Sequence, residues 1–474
     1  MANPTSYLTR AASGGNQKTY TISVWVRLGN THTPVTNGAA NRVIVGSDIS
    51  ANAQNHATLS MDNEFRLKFM NLTSNDWGTN LKPDRLLLDG TSWYHIVARV
   101  DTTQATASDR VRLYINGELQ TQFATSIYPD QNEDTSMFNY QTLIGARKSS
   151  SPDGFWLGHM GHLHICEGQS YAASKFGETD STTGEWKPTL NPSSVSYGDN
   201  GCFLKFEDSS NLGLDSSGQG HNFTVVGDLK QSISTPSNTF ATFSFTHHAI
   251  DQQNKISRAG TQIDHANDSY TSKITCATLG MNKGKWYWET KYSTTGGYLN
   301  VGFVRNGGLD ATRNIRQNGD LGDGDDANSW AFQAGNSSGQ IQKKIRHNNA
   351  DAVADMGVTP AVNDIIQCWL DLDNGKAWWG INGTVMNSGS GTGVPNSGTY
   401  PHVTFTVGDE FYIPAISLFG FNGAPQCQIN FGEGRFGTTA VSSAVADNGG
   451  NGSFEYSPLS GFYSICTKNI KDYG

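Results

Sequence analysis

Asn363 to Gly383 reads N-D-I-I-Q-C-W-L-D-L-D-N-G-K-A-W-W-G-I-N-G. Two Asn-Gly pairs, Asn374-Gly375 and Asn382-Gly383, bracket the run Lys376 to Ile381, and a second apolar run, Ile365 to Leu372, precedes them. Asn-Gly is the strongest short-range hairpin signal, because both central residues of a type I′ turn need positive φ. The stretch therefore predicts a tryptophan-rich antiparallel meander with tight turns.

The same pattern extends outward. Period-2 alternation puts Tyr20, Ile22, Val24, Val26 and Leu28 on one face of a strand, with Ser23, Trp25 and Arg27 on the other. Trp93 to Asp101 alternates in the same way. Val111, Leu113 and Ile115 lead into a further Asn116-Gly117 turn. One face on a core and one face wet is the expectation for antiparallel strands of this kind. Trp25, Trp93 and Trp369 fall on such strands and read as core. Helical periodicity is confined to a short stretch near Thr438 to Ala446. Many short strands with frequent turn signals predict an all-β protein of two consecutive antiparallel β-sandwiches. The polar, proline-bearing stretch at 229–239 reads as a linker. It separates a first sandwich at 1–228 from a second at 240–437, with 438–474 as a C-terminal segment packing on the second domain.

Composition narrows the function. The chain has 474 residues, of which 16% are charged, against roughly 25% for an average soluble protein. The net charge of −9 comes with no Lys/Arg cluster, which argues against nucleic acid as a partner. Met1 is followed by no basic and apolar leader, and no run approaches the roughly 18 apolar residues of a membrane span. Neither Sec-type export nor membrane insertion is expected. The six cysteines are scattered, with no C-x-x-C, and read as small buried hydrophobes. The strands begin close to Met1, with no heptads and no repetitive shaft, so a long self-contained fibre is not expected.

Three resemblances follow from quoted blocks. Y-T-I-S-V-W-V-R-L (Tyr20 to Leu28), W-Y-H-I-V-A-R-V-D (Trp93 to Asp101), V-R-L-Y-I-N-G-E (Val111 to Glu118) and L-I-G-A-R (Leu143 to Arg147) resemble laminin-G-like, concanavalin A-like jelly rolls. G-K-W-Y-W-E (Gly284 to Glu289), V-G-F (Val301 to Phe303), S-W-A-F (Ser329 to Phe332), the opening meander, Y-I-P-A-I-S-L-F-G (Tyr412 to Gly420) and I-N-F-G (Ile429 to Gly432) resemble SPRY domains. Phe176 to Trp186, Phe203 to Asn222, Thr235 to Ala241 and the ending Pro458 to Ile470 resemble segments of tailed-phage structural and tail-fibre-like proteins, notably marine ones. The last resemblance implies a virion protein made in the host cytoplasm and released at lysis. Its partners would be other virion proteins (capsid, tail or fibre) and a host-surface glycan, and its state a homo-oligomer. The reading is a fibre-tip or decoration protein that binds glycans or host-surface polymers during adsorption. The alternative is a purely structural head-decoration or tail-assembly protein making only protein contacts.

An enzyme is not expected. Laminarinase-type glucanases on this fold need paired carboxylates spaced E-x-D-x-(x)-E to flank the scissile bond. Glu289 has no such partner, and Asp371 and Asp373 abut a turn and read as turn-forming residues. Gly335 to Gly339 matches G-x-S-x-G, but lies in a Gly/Ser loop and lacks the strand-to-helix setting that gives the motif meaning. His159, His162 and His164 read as ordinary strand histidines, although His162 and His164 share a face about 7 Å apart. Asp320, Asp323, Asp325 and Asp326 crowd one loop, which reads first as hydrated acidic surface and second as a calcium site. For glycan binding, an aromatic platform beside polar groups is the usual device. The candidates are Trp77 and Trp156 in the first domain, and Tyr298, Arg305, Asp325 and Trp330 in the second.

Overall fold

The computed structural model describes residues 6–12, 14–29, 41–48, 55–73, 76–147, 151–248, 254–265, 272–294, 297–306, 320–322, 327–337, 340–420 and 424–474. The chain divides into two compact units, Met1–Gln231 and Ser232–Gly474.

The first unit is a sandwich of two antiparallel sheets. The eight-stranded sheet runs in the order Phe123–Ile127, Asp76–Pro83, Leu67–Thr73, His56–Asp62, Asn41–Asp48, Thr142–Ile144, Tyr7–Arg10 and Thr224–Val226. The six-stranded sheet runs Cys202–Leu204, Gly158–Glu167, Thr19–Leu28, Trp93–Asp101, Val111–Ile115 and Glu118–Leu119. The alternation read from the sequence sets the core: Tyr20, Ile22, Val24, Val26, Leu28, Tyr94, Ile96, Ala98, Leu113 and Ile115 all pack between the sheets.

The expected wet face of the six-stranded sheet is not wet. Thr21, Ser23, Trp25 and Arg27 are as buried as their inward neighbours. The chain returns over this face beyond Glu167, laying Phe176, Tyr197 and Ala173 against it. A cover contributed some 150 positions later leaves no mark on a strand's own period. Trp93 also departs from the reading. It is half-buried at the start of its strand, not core.

The second unit repeats the architecture with a different topology. Its seven-stranded sheet runs Phe243–His248, Ser272–Ala277, Tyr412–Gly420, Gly297–Arg305, Ser329–Ser337, Gln340–His347 and Ala350–Val353. The other sheet runs Asn254–Ser257, Gln262–His265, Gln426–Asn430, Lys285–Thr294, Ile365–Asp371, Lys376–Ile381 and Thr384–Val385, with Val403–Thr404 against Lys376–Ile381. The meander at 365–385 is thus one half of this sheet.

Its two Asn-Gly turns differ. Asn382 (φ 49°) and Gly383 (φ 83°) form the expected two-residue connection between the paired Ile381 and Thr384. Asn116 and Gly117 do the same between Ile115 and Glu118. Asn374-Gly375 does not. Asp371 pairs with Lys376, so four residues make the turn, and of the Asn-Gly pair Gly375 alone has positive φ. The Asp371 carboxylate, buried and 3.1 Å from Lys285 Nζ, accepts the Asn374 backbone N–H at 3.0 Å and fixes the wider loop. Asp373 accepts the Gly284 N–H at 2.8 Å. Both aspartates are held in turn and sheet contacts.

The C-terminal residues cover the outer face of the Ile365–Asp371 sheet. Phe454 and Phe462 are buried with Tyr287, Trp369 and Trp378, and Trp369 Nε1 donates to the Pro458 carbonyl at 2.7 Å. The helix expected near Thr438 to Ala446 does not form. Thr439–Ala440 pairs back onto Arg435–Phe436, and Val445 bridges Phe454. A short helix sits instead at Thr467–Tyr473. All six cysteines are buried and free.

Candidate functional site

The residues singled out in the second unit do not assemble into one site. Trp330 pairs with Phe303 across strands and is 4% exposed, stacked on His347 at 4.7 Å and on Phe303 at 5.1 Å. It is core, and its ring faces are already covered. Tyr298 and Arg305 stand at opposite ends of one strand, Gly297–Arg305, roughly 20 Å apart at the rise of a β-strand. The Tyr298 ring leans on Phe419 at 5.3 Å, and Arg305 Nε donates to Asn328 Oδ1 at 3.0 Å. Asp323, Asp325 and Asp326 lie outside the described residues, as do Ser338 and Gly339 of the G-x-S-x-G match. Asp320 is half-buried beside Leu321. Among the described residues, no group of three or more His, Cys, Asp or Glu side chains is placed to hold a metal ion.

In the first unit, Trp156 is 8% exposed and packs in the core, so it cannot serve as the expected loop platform. Trp77 belongs to the strand Asp76–Pro83 and pairs with Leu72. It is not in a loop, and its side chain lies outside the described residues.

What the first unit does assemble is a face of planar rings on the six-stranded sheet. Register places His159, Arg27 and Trp93 in one outward row, and Gly161, Trp25 and His95 in the next. His95 stacks on Trp25 at 4.8 Å and on Trp186 at 6.0 Å. Trp186 Nε1 donates to His95 Nδ1 at 3.0 Å, so His95 carries its proton on Nε2 and donates it to Ser23 Oγ at 2.9 Å. Burial, then the nearby His162, pushes the His95 pKa down to about 3. Trp186 is seated between two glycines. A Cβ on Gly117 or on Gly177 would come within 2.6 Å of its ring.

Trp186 marks the end of the cover. Beyond it lie Trp93 and His159, tilted against each other at 5.9 Å, and His162, stacked on Phe203 at 6.2 Å. All three are half-buried, and among the described residues none of their side chains makes a hydrogen bond. A bulge after Gly161 puts His162 at φ 46° and interrupts the alternation, while His164 is fully buried on Phe203. Burial, then the charge of Arg27, lowers the His159 pKa to about 3, and burial also lowers that of His162. At neutral pH both imidazoles are uncharged, each with one donor and one acceptor. Trp93 Nε1, His159 Nδ1 and His162 Nδ1 are buried without a partner among the described residues, so what this end of the face offers a ligand with apolar C–H faces is partly exposed ring surface. The G-H-M-G-H-L-H and W-Y-H blocks hold these residues. Alternation alone assigned them to ordinary strand positions, because where the cover stops is not a local property.

Beside His162, the segment Lys205 to Ser216 forms a depression of about 210 Å³. Phe206 there has φ 60°, and Gln231 Nε2 donates to the carbonyls of Phe206 at 2.9 Å and Glu207 at 2.6 Å.

Residues 3–174 match the family model described as the Concanavalin A-like lectin/glucanases superfamily, and residues 285–433 match the SPRY domain. No curated protein matches the chain. Among solved structures the chain is similar to the SPRY domain of human HERC1 at 15% identity, covering 40% of this chain and 96% of that one with a TM-score of 0.27. It is similar to the TRIM65 PSpry domain at 16% identity, covering 40% and 91% with a TM-score of 0.28. It is also similar to a heptameric SAP-like pentraxin from Limulus polyphemus at 11% identity, covering 36% and 74% with a TM-score of 0.27.

Proposed function

We propose that this chain, in which a concanavalin A-like domain precedes a SPRY domain, is a phage virion surface protein that binds host-surface glycans without cleaving them. The observation that carries the binding reading is the uncovered end of the ring face in the first unit. Trp93 and His159 lie 5.9 Å apart there, next to His162, and all three rings are partly exposed. The non-enzymatic part rests on the carboxylates. Glu289 is buried among donors and Asp371 is buried in a turn, so neither presents an acid to a bound chain. The virion part rests on the resemblance of Phe176 to Trp186, Phe203 to Asn222, Thr235 to Ala241 and Pro458 to Ile470 to tailed-phage proteins.

A glycan array and a host-cell pull-down with the full chain and with Trp93→Ala test the binding. Loss of at least ten-fold in Trp93→Ala, at an unchanged melting midpoint, supports it. Absence of binding to every glycan and to cells rejects it. Antibody against the chain should label the surface of purified particles. Labelled particles together with an empty array would favour the purely structural role.

A further inference from the structure

We infer that the depression lined by Lys205 to Ser216 in the first unit is a subsite for a single uncharged sugar ring at the end of a glycan. The inference rests on the glycan-binding reading above and adds to it a site and a substrate class.

Size comes first. At about 210 Å³ the depression is smaller than the roughly 300–1,000 Å³ of sites that enclose drug-sized ligands. It takes one ring, not an extended chain. Its lining is divided as sugar recognition requires. Phe206 and Leu214 are apolar, and Leu214 is 41% exposed, an apolar side chain left open to solvent. Asn211 and Ser216 line the same space, and among the described residues neither side chain makes a hydrogen bond. An amide and a hydroxyl, each both donor and acceptor, match the mixed character of sugar hydroxyls.

The local backbone is held for this shape. Phe206 adopts φ 60°, which a bulky side chain seldom does. The Gln231 amide, bonded to the carbonyls of both Phe206 and Glu207, keeps it there. Asp208 Oδ1 accepts the backbone N–H and the hydroxyl of Ser210, which closes the neighbouring turn. The conformation is therefore determined before any ligand arrives, which reduces the ordering cost of binding.

Charge selects the class. Lys205 lies 3.9 Å from Glu207, and Asp208 adds a second carboxylate to the lining. The local sum is negative, in a chain of net charge −9. A sugar bearing carboxylate, sulfate or phosphate would meet like charge, so a neutral hexose or N-acetylhexosamine is the fit. The depression adjoins the ring face: Lys205 Nζ lies 5.6 Å from the centroid of Phe203, the ring on which His162 stacks. A terminal ring held here would lead the next sugars toward His162 and His159.

Saturation-transfer NMR on the full chain with the methyl glycosides of glucose, galactose and mannose, and with N-acetylglucosamine, tests the subsite. The variants are Leu214→Arg and Asn211→Ala, with thermal melting to verify that each folds. The expected result is a signal from at least one of the four sugars, reduced at least five-fold in both variants at unchanged melting midpoints. A signal equal in wild type and variants overturns the subsite and leaves glycan binding in place. Silence of all four sugars with an array that still shows Trp93-dependent binding also overturns the subsite alone. Silence together with an empty array overturns the subsite and the glycan reading with it.

Discussion

The carboxylate of Glu289 accepts the backbone N–H of Tyr456 at 2.7 Å, across 167 positions of sequence. Its second oxygen accepts the Glu455 N–H at 3.0 Å, and Tyr287 Oη and Asn430 Nδ2 complete the set at 2.9 and 3.2 Å. Four donors converge on one buried carboxylate, and two of them belong to the C-terminal cover. Glu289 is the polar fastening under an otherwise aromatic contact.

Glu289→Gln should therefore destabilise the second unit by about 1–3 kcal/mol, because the new amide nitrogen presents hydrogens to a backbone N–H that cannot turn away. Denaturant unfolding of the full chain, followed by tryptophan fluorescence, reads the shift. A midpoint equal to wild type would remove the fastening role.

The same variant should show a defined pH dependence. Burial, outweighing the four donors, raises the Glu289 pKa from 4.5 to about 7. A raised carboxylate contributes stability that is fully present below 4.5 and is lost as pH rises toward 7. Glutamine does not titrate, so the penalty of Glu289→Gln should be larger at pH 5 than at pH 8. Melting curves at both values decide it, and the reverse order would contradict the assignment.

The first unit should lose stability in acid. The pKa values of His95 and His159 are lowered from 6.5 to about 3. A lowered histidine binds fewer protons folded than unfolded, so its stability is present above 6.5 and is lost as pH falls toward 3. For His95 the cause is also geometric: protonating Nδ1 would break its bond from Trp186. Melting of the first unit should fall progressively below pH 6.5, and less steeply in His95→Gln.

Gly117→Ala and Gly184→Ala separate strain from contact. Both glycines have positive φ, but a Cβ at Gly184 meets nothing within 4 Å, whereas one at Gly117 meets the Trp186 ring at 2.6 Å. Gly184→Ala should cost about 1–2 kcal/mol from the left-handed conformation alone. Gly117→Ala should cost more and also shift the fluorescence of Trp186 as the ring is displaced. Equal costs would place Trp186 elsewhere.

Trp156→Ala and Trp330→Ala should each destabilise by about 3–5 kcal/mol, as expected for emptied core positions. Calorimetry of both variants checks this. A stable variant that only loses ligand would return these residues to the surface role that the sequence suggested for them.

Strand positions, inward faces and two-residue turns were legible in the sequence. Period 2 is a property of the pleated backbone itself, and Asn382-Gly383 and Asn116-Gly117 carry their positive φ in their own residues. The blocks between Tyr20 and Arg147 likewise marked the first domain, and those around the Trp378-Trp379 meander the second. The wide turn at Asn374-Gly375 escaped, because a buried Asp371 ion pair overrode the local dipeptide. Most of the candidate site escaped as well. Whether Trp93, Trp156, Trp186 or Trp330 meets solvent depends on which distant segment lies over it, and 168–200 and 438–474 cover faces that the strands' own pattern marks as wet. Local geometry is written in neighbouring residues. Burial is decided by partners some ninety or more positions away, so only the tertiary structure determined which rings are core, that Glu289 meets Tyr456, and where the cover ends at Trp186 to leave Trp93 and His159 partly exposed.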